Sequence, residues 1–385
     1  MGNKFTTEQL EFLQSLPLDI KIKKTQLRIR EWYEYWGGDV YVAFSVGKDS
    51  TVLLDIARKM YPNIEAVYCD TGMEYPEIKE FVKSYGNVTI IRPKYTFKQI
   101  LTKFGYPVIS KEVARTIEHG RKFINDNITK TVDWVPYQLD LLTKWVSDNI
   151  IPMPAQALND PRYGLPEEPI PLKGSGITYS VASLLGLLRK DNYLMWKMKR
   201  NERSQYNRAK WRHLLNFNFK ISDRCCEYMK KNPSHRYSTM TGKQPIIGTM
   251  ADESALRLKT WLKYGCNAFK GTKSSKPLSF WTEQDIYQYI VENDLAIASV
   301  YGKIIKDDKG EYHTTGCDRT GCVFCMFGLQ MEDEPNRFQR LKQTHPKLWD
   351  YCMRGGEVSD AGWWQPSKDG LGMAYVLERL RLKGE

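Results

Sequence analysis

Val40-Tyr41-Val42-Ala43-Phe44-Ser45-Val46-Gly47-Lys48-Asp49-Ser50-Thr51 is the stretch that decides the fold. Its first five residues are apolar, β-branched or aromatic, the composition of a buried strand. A short loop of Ser, Gly, Lys, Asp and Ser follows, and a helical pattern starts at Thr51-Val52-Leu53-Leu54-Asp55-Ile56-Ala57. A strand that turns through small residues into a helix aims backbone N–H groups and the positive end of the helix dipole at one point. That point suits phosphate. Lys48 adds a full positive charge, and Ser45, Ser50 and Thr51 add hydroxyl donors. Two commoner phosphate loops are excluded. A Walker loop needs a glycine five residues before its Gly-Lys pair and Ser or Thr after it, whereas Val42 and Asp49 stand there. The Gly-x-Gly-x-x-Gly fingerprint of dinucleotide folds is absent as well.

Working outward, the pattern repeats. A strand is expected at 64–68, ending in Cys69-Asp70-Thr71-Gly72, then a helix at 76–85 with Pro76 in its first turn and a strand at 88–91. Amphipathic helices are expected at 8–16 and 20–36, closed by Gly37-Gly38. Strands alternating with short helices indicate βαβ units and a parallel sheet, with ligands at the carboxyl ends of the strands. The fold class is therefore α/β, and Ser45 to Ser50 should face the same cleft as Asp70, Thr71 and Gly72. After an irregular, proline-rich stretch within 126–215, the α/β pattern resumes at Pro245-Ile246-Ile247-Gly248, running into Ala251-Asp252-Glu253-Ser254 and Arg257. Five segments follow: helices at 1–37, α/β at 38–125, an irregular and basic helical insertion at 126–215, more α/β at 216–300, and a Cys-rich region at 301–385.

The chain has 385 residues, ample for a large core, and a net charge of +12. No apolar run approaches the length of a membrane span and the start lacks a signal-peptide core, so a cytoplasmic protein without membrane contact is expected. Between Arg189 and Arg212 nine Lys or Arg face two acidic residues, with Tyr193, Trp196, Tyr206 and Trp211 interleaved. Lys197, Lys199, Arg200, Arg203, Arg208, Lys210 and Arg212 could follow a nucleic-acid backbone while the rings stack on bases. The plainer reading is a solvated basic helix face whose rings pack on the core. Lys111 and Arg115 would share a helix face open to an anion, or be ordinary surface charge.

Eight cysteines are unevenly spread. Cys225 and Cys226 are adjacent, and Cys317, Cys322 and Cys325 crowd together after Gly316 and Gly321. In a reducing compartment, clusters point to metal or redox chemistry rather than disulfides. The local run Cys-x4-Cys-x2-Cys matches plant-type ferredoxin spacing, and Zn²⁺ could use the same thiolates. Arg224, Lys230, Arg319 and the Gly321 N–H could supply positive charge and hydrogen bonds around them. Asp70 could hold a ribose, an adenine amine or Mg²⁺. Asp252 and Glu253 could hold Mg²⁺, and Arg257 could neutralise charge on a phosphate or sulfate.

The loop from Ser45 to Ser50 resembles the PP-loop of the ATP-pyrophosphatase superfamily, usually Ser-Gly-Gly-Lys-Asp-Ser. Val46 replaces its first glycine, a form similar to the small subunit of sulfate adenylyltransferase. Together with Asp70-Thr71-Gly72, Arg224-Cys225-Cys226, Lys230, Gly248 to Arg257 and Cys322-x2-Cys325, it resembles the phosphoadenosine phosphosulfate reductase family over roughly 38–125 and 216–330. The resemblance implies a nucleotide site at Ser45, Gly47, Lys48, Asp49, Ser50, Asp70, Thr71, Gly72 and Gly248. Lys48, Asp49 and Arg257 would be catalytic, and Asp252 and Glu253 would hold Mg²⁺ beside ATP. It implies a [4Fe-4S] cluster on Cys225, Cys226, Cys322 and Cys325, with Cys317 and Cys266 as substitutes. Two departures set the chain apart from sulfonucleotide reductases. Those attack with a cysteine near the C-terminus, and Leu377 to Glu385 contains none, while Cys352 sits in a context that does not match. Reductases also lack the Gly-Lys-Asp-Ser form of the loop. The combination looks more like members that adenylate a substrate, release pyrophosphate and insert sulfur into tRNA or DNA with the help of a sulfur donor. Two alternatives stand: a reductase of APS or PAPS served by a thioredoxin-like reductant, and a non-catalytic, metal-containing nucleic-acid-binding protein.

Overall fold

The computed structural model describes residues 3–150, 169–195 and 200–382. The chain divides into two compact units, Met1–Thr96 with Tyr228–Val323 and Phe97–Glu227 with Phe324–Glu385. These units follow contacts, whereas the five segments above follow composition along the chain.

The first unit is α/β around a six-stranded sheet. In spatial order its strands are Val88–Ile91, Glu65–Cys69, Val40–Ala43, Gln244–Ile247, Ser274–Ser275 and Asn267–Ala268. All neighbours are parallel except the last pair. Val40, Tyr41 and Val42 are buried in succession, as a central strand covered on both faces requires. From this strand the chain works outward through 65–69 to 88–91, then re-enters on the opposite side at 244–247. The order of strands therefore reverses between 40–43 and 244–247. In such sheets a crevice opens at the carboxyl ends of the two strands flanking the reversal.

The helix after the central strand is Lys48–Met60, three residues longer at its start than the sequence pattern suggests. Lys48, Asp49 and Ser50 thus form its first turn rather than a preceding loop. Val52, Leu53, Leu54, Ile56 and Ala57 are buried, because the helix packs on the sheet and against helices Leu18–Tyr35 and Glu283–Glu292. The strand at 88–91 and the helices Thr7–Gln14 and Pro76–Lys83 fall where the periodicity places them.

The second unit is mainly helical, with Phe97–Phe104, Lys111–Ile124, Gln138–Asn149 and Tyr179–Leu185 and short two-stranded ladders. Gly105 has φ +109°, and a Cβ there would stand 2.2 Å from the Lys220 carbonyl carbon, so the backbone crossing requires glycine. Arg121 is buried; its guanidinium donates to the carbonyls of Leu214, Leu215, Phe217 and Phe219 and lies 5.1 Å from the Trp363 ring. Among the described residues no helix is long and apolar enough to cross a membrane.

Among its described residues the basic stretch is not the helix its sequence suggested. Tyr193–Leu194 is a short strand antiparallel to Ile170–Pro171, Arg189 bridges Arg203, and a 3-10 helix begins only at Ala209. Asn192 at φ +64° supplies the left-handed turn that reverses the chain, which a continuous helix would not allow.

Candidate phosphate site in the first unit

The loop after the central strand is held by its own side chains. Ser45 Oγ lies 3.2 Å from Ser50 Oγ and accepts the Gly47 N–H at 3.4 Å. Ser50 Oγ and Thr51 Oγ1 donate to the Gly47 carbonyl at 2.9 and 3.2 Å. Gly47 caps the helix, so the N–H groups of Asp49 and Ser50 have no acceptor within the helix and point toward its N-terminal end. Val46 has φ +64° and is fully buried. This left-handed conformation is the one glycine favours, and it costs a β-branched residue on the order of 1–2 kcal/mol. Val46 therefore keeps the backbone course of the glycine it replaces, and its isopropyl group joins the core around Phe44 and Leu53.

The neighbouring strand ends complete one rim. A Cβ on Gly248 would lie 3.0 Å from the Asp49 carbonyl oxygen and 3.1 Å from Ser50 Cα, so the turn after 244–247 packs directly on the phosphate loop. On the other side, Asp70 Oδ1 accepts the Gly72 N–H at 3.2 Å, and Gly72 has φ +77°. Burial alone would raise the Asp70 carboxyl, but Lys79 at 3.3 Å, the Gly72 N–H and Arg92 at 3.4 Å hold it below its ordinary range. Thr71 Oγ1 bonds Glu74. Of the expected Mg²⁺ pair, Asp252 is exposed and accepts from Gln14 Nε2 at 2.8 Å. Glu253 accepts the Met250 N–H at 2.9 Å and pairs with Arg257. Glu253 and Arg257 are thus engaged with each other and Glu253 with its own turn, while Asp252 reaches the N-terminal helix.

Four residues the sequence did not single out surround Lys48. Its ammonium is 2.8 Å from Glu283 Oε1 and donates to the Asp318 carbonyl at 2.9 Å. It lies 5.2 Å from the Tyr287 ring and 5.9 Å from that of Tyr301. The Lys48 N–H donates to Tyr301 Oη at 3.1 Å. Burial by itself would lower the Lys48 pKa, yet the carboxylates of Asp49 and Glu283 outweigh it and push the group up to about 12. A capping-box pattern at Thr282 to Asp285 marks a helix start, but nothing local to it announces that Glu283 reaches a lysine more than two hundred residues earlier.

Asp49 is the strained charge of the site. One carboxylate oxygen is sealed from solvent with no hydrogen-bond partner among the described residues. Burial raises its pKa to about 6; Lys48 opposes the rise, and the charges of Glu253 and Glu283 add to it. Between pH about 4 and about 6 the folded protein holds a proton that the unfolded chain has released, so this group's contribution to stability is lost as pH rises through that window. Asp49→Asn is expected to exceed wild type in stability at pH 7.5 by on the order of 2 kcal/mol and to show no such gain at pH 4. Urea unfolding at the two pH values checks this, and equal stability at pH 7.5 would refute it.

The loop after the central strand lies at the switch point of the sheet, and its sequence lies within the match to a known domain. The phosphoadenosine phosphosulfate reductase domain matches residues 39–114 and 188–326, more than half of the chain. The chain belongs to this domain family. An adenosine 5'-phosphosulfate reductase of Geobacillus kaustophilus is 30% identical over 129 residues, covering 31% of this chain and 54% of that protein. An uncharacterized protein of Methanocaldococcus jannaschii is 32% identical over 93 residues, covering 22% of each chain. The chain thus spans about half or less of the length of these relatives. The phosphoadenylyl-sulfate reductase of Candida auris aligns over 81% of this chain and 100% of its own at 12% identity, with a TM-score of 0.32, too low to bear on the argument.

Within the family match, the cysteines fall in both units. Cys322, Cys317 and Cys266 belong to the first, and Cys225, Cys226 and Cys325 to the second. Cys225 is buried and shares the short helix Arg224–Cys226 with Cys226. Arg224 pairs with Glu118 at 3.2 Å and Glu227 at 3.4 Å. Burial pushes the Cys317 thiol up to about 11, Asp318 adds to the rise, and Lys48 opposes it. Cys266 Sγ accepts from Ser279 Oγ at 3.4 Å. Thiolates are apt donors for iron or zinc. Among the described residues, no three His, Cys, Asp or Glu side chains are gathered into a metal-holding group.

Of the basic stretch, Lys197 and Lys199 lie outside the described residues. Arg208 is bound to Glu112 at 2.5 Å and to two backbone carbonyls, and Lys210 stacks on Trp211. Arg200, Arg203 and Lys210 are exposed, and Arg212 is half-buried. Arg115 pairs with Asp223 at 2.5 Å, leaving Lys111 exposed one turn away.

Proposed function

We propose that this chain binds Mg·ATP at the 45–51 loop, adenylates a substrate with release of pyrophosphate, and passes sulfur to a nucleic-acid acceptor. The observation that supports the nucleotide step is Lys48: a buried, firmly protonated ammonium in the first turn of a helix whose next two N–H groups lack helical acceptors. In the reaction an acceptor oxygen bonds to the α phosphorus as the bond to the α,β-bridging oxygen breaks. The electron pair leaves with pyrophosphate and the acceptor's proton passes to solvent. Charge grows on the bridging oxygen, and Lys48 with the Asp49 and Ser50 N–H groups stabilises it. Asp70 holds the nucleoside, Asp252 and Glu253 offer carboxylate oxygens to Mg²⁺, and Arg257 brings positive charge to the anionic substrate. Cys225, Cys226, Cys322 and Cys325 would hold a [4Fe-4S] cluster, or Zn²⁺, with Cys317 and Cys266 as substitutes. Such a cluster supplies or relays sulfur when bound. The exposed arginines of the 189–212 stretch offer phosphate contacts to tRNA or DNA.

The similarity to the adenosine 5'-phosphosulfate reductase of Geobacillus kaustophilus favours a second reading, reduction of a sulfonucleotide without ATP turnover. Against it, Cys352, the only cysteine beyond Cys325, is sealed in the core against Met373 and its thiol is pushed well up by burial. Anaerobically purified protein is expected to release pyrophosphate from ATP, assayed with and without tRNA, DNA or sulfate. No pyrophosphate under any condition would overturn adenylation, and sulfite release from adenylyl sulfate with reduced thioredoxin would establish the alternative. The same sample is expected to show a broad absorbance shoulder near about 400 nm; a colourless, zinc-bearing sample would overturn the cluster.

A further inference from the structure

The turn Cys317-Asp318-Arg319-Thr320 lies within the first unit, and its first anchor is the 3-10 turn Ser299–Tyr301. The Gly316 N–H donates to the Tyr301 carbonyl at 2.9 Å and the Cys317 N–H to that of Val300 at 3.0 Å. A Cβ on Gly316 would stand 2.3 Å from the Val300 carbonyl oxygen, so the approach is as close as glycine permits. From this base the turn reaches the phosphate loop at three points. The Asp318 carbonyl takes the Lys48 ammonium. Thr320 Oγ1 lies 2.8 Å from Tyr301 Oη, which accepts the Lys48 N–H. Thr320 Oγ1 also stands 3.6 Å from where a Cβ on Gly47 would be.

Arg319 lies between Asp318 and Thr320 in this segment. It is exposed and makes no hydrogen bond or ion pair among the described residues, yet it is near enough for its charge to act on the Asp49 carboxylate. Lys48, by contrast, already has Glu283 and the Asp318 carbonyl as partners. A fully ionised pyrophosphate end carries more charge than one lysine and two amides offset, and a guanidinium binds two of its oxygens at once.

We propose that Arg319 and Thr320 form a second wall of the phosphate site, with Arg319 binding the terminal, β and γ, phosphates of the nucleotide and Thr320 fixing the turn through Tyr301. This rests on the nucleotide reading above and deepens it. The turn that carries Cys317 and leads to Cys322 is then also the turn that grips the leaving group.

The test is calorimetric titration of the full-length protein with inorganic pyrophosphate and, separately, with AMP. Arg319 is exposed, so Arg319→Gln is expected to fold as wild type and to bind pyrophosphate at least about tenfold more weakly, with AMP affinity unchanged within about twofold. Thr320→Val keeps the shape, removes the hydroxyl that fixes the turn, and is expected to weaken pyrophosphate by a smaller factor than Arg319→Gln, with AMP affinity again unchanged within about twofold. Unchanged pyrophosphate affinity in Arg319→Gln, or an equal loss for AMP, would overturn the assignment. Wild type that binds neither pyrophosphate nor ATP overturns this inference together with the nucleotide reading. Wild type that binds pyrophosphate through Arg319 but releases none from ATP sinks adenylation alone.

Discussion

Lys48→Ala is expected to lower pyrophosphate release from ATP by at least about a hundredfold, the loss that follows removal of one well-placed charge from a developing anion. The reason is positional. The ammonium is fixed by Glu283, the Asp318 carbonyl and two tyrosine rings, so no reorganisation is needed to present a cation at the helix N-terminus. Its removal also leaves the Asp49 and Glu283 carboxylates without their shared counter-charge, so some loss of stability accompanies the loss of rate. Glu283 is nearly half exposed, at 45% of its side chain, and water compensates much of that charge. Lys48→Arg separates the two effects: it keeps the positive charge near Glu283 while the bulkier guanidinium disturbs the geometry. It is expected to fold as wild type and still lose most of the rate. Nucleic-acid binding through the 189–212 stretch is expected to persist in both variants. Pyrophosphate release within about threefold of wild type in Lys48→Ala would remove the lysine from the mechanism.

The parts of this site that were legible in the sequence are those built by neighbours along the chain. An apolar strand, a small-residue turn and a helix placed Ser45 to Ser50, and the same logic placed Asp70 to Gly72 and Gly248. Local pattern misplaced the helix start by three residues, because Lys48, Asp49 and Ser50 read as loop chemistry although helical geometry accommodates all three. The cage around Lys48 was not legible. Glu283, Tyr287, Tyr301 and Asp318 reach it through tertiary packing, and each reads locally as a helix cap, a core ring or a turn. Val46 was legible as a departure but not in its consequence, since only the backbone angle shows that a valine there holds a glycine-like conformation. The basic stretch misled because charge density carries no period; the turn at Asn192 sets its course instead.

Lys21→Ala is expected to destabilise the protein by about 3–5 kcal/mol, the cost of leaving a buried charge without its partner. Lys21 is 2% exposed and donates to both Asp285 oxygens, at 2.8 and 2.7 Å. Asp285 Oδ2 also accepts the Thr282 N–H at 2.7 Å and its hydroxyl at 2.9 Å, closing the capping box of helix Glu283–Glu292. The same contact region holds Thr25, which donates to the Pro277 carbonyl and accepts from Trp281 Nε1. Helix Leu18–Tyr35 is thereby fastened to the start of the helix whose first residue, Glu283, grips Lys48. Loosening the ion pair is therefore expected to reach the 45–51 loop through the start of this helix. In Lys21→Ala, pyrophosphate release at a temperature where the variant remains folded is expected to fall several-fold, through a loosened Glu283. Asp285→Asn keeps a cap acceptor while removing the charge, so the double variant Lys21→Met with Asp285→Asn is expected to recover more than half of the lost stability. Urea unfolding of Lys21→Met, Asp285→Asn and the double variant closes the cycle. A Lys21→Ala protein within about 1 kcal/mol of wild type would show that the pair is solvated rather than sealed, and the coupling from this helix to Lys48 would fall with it.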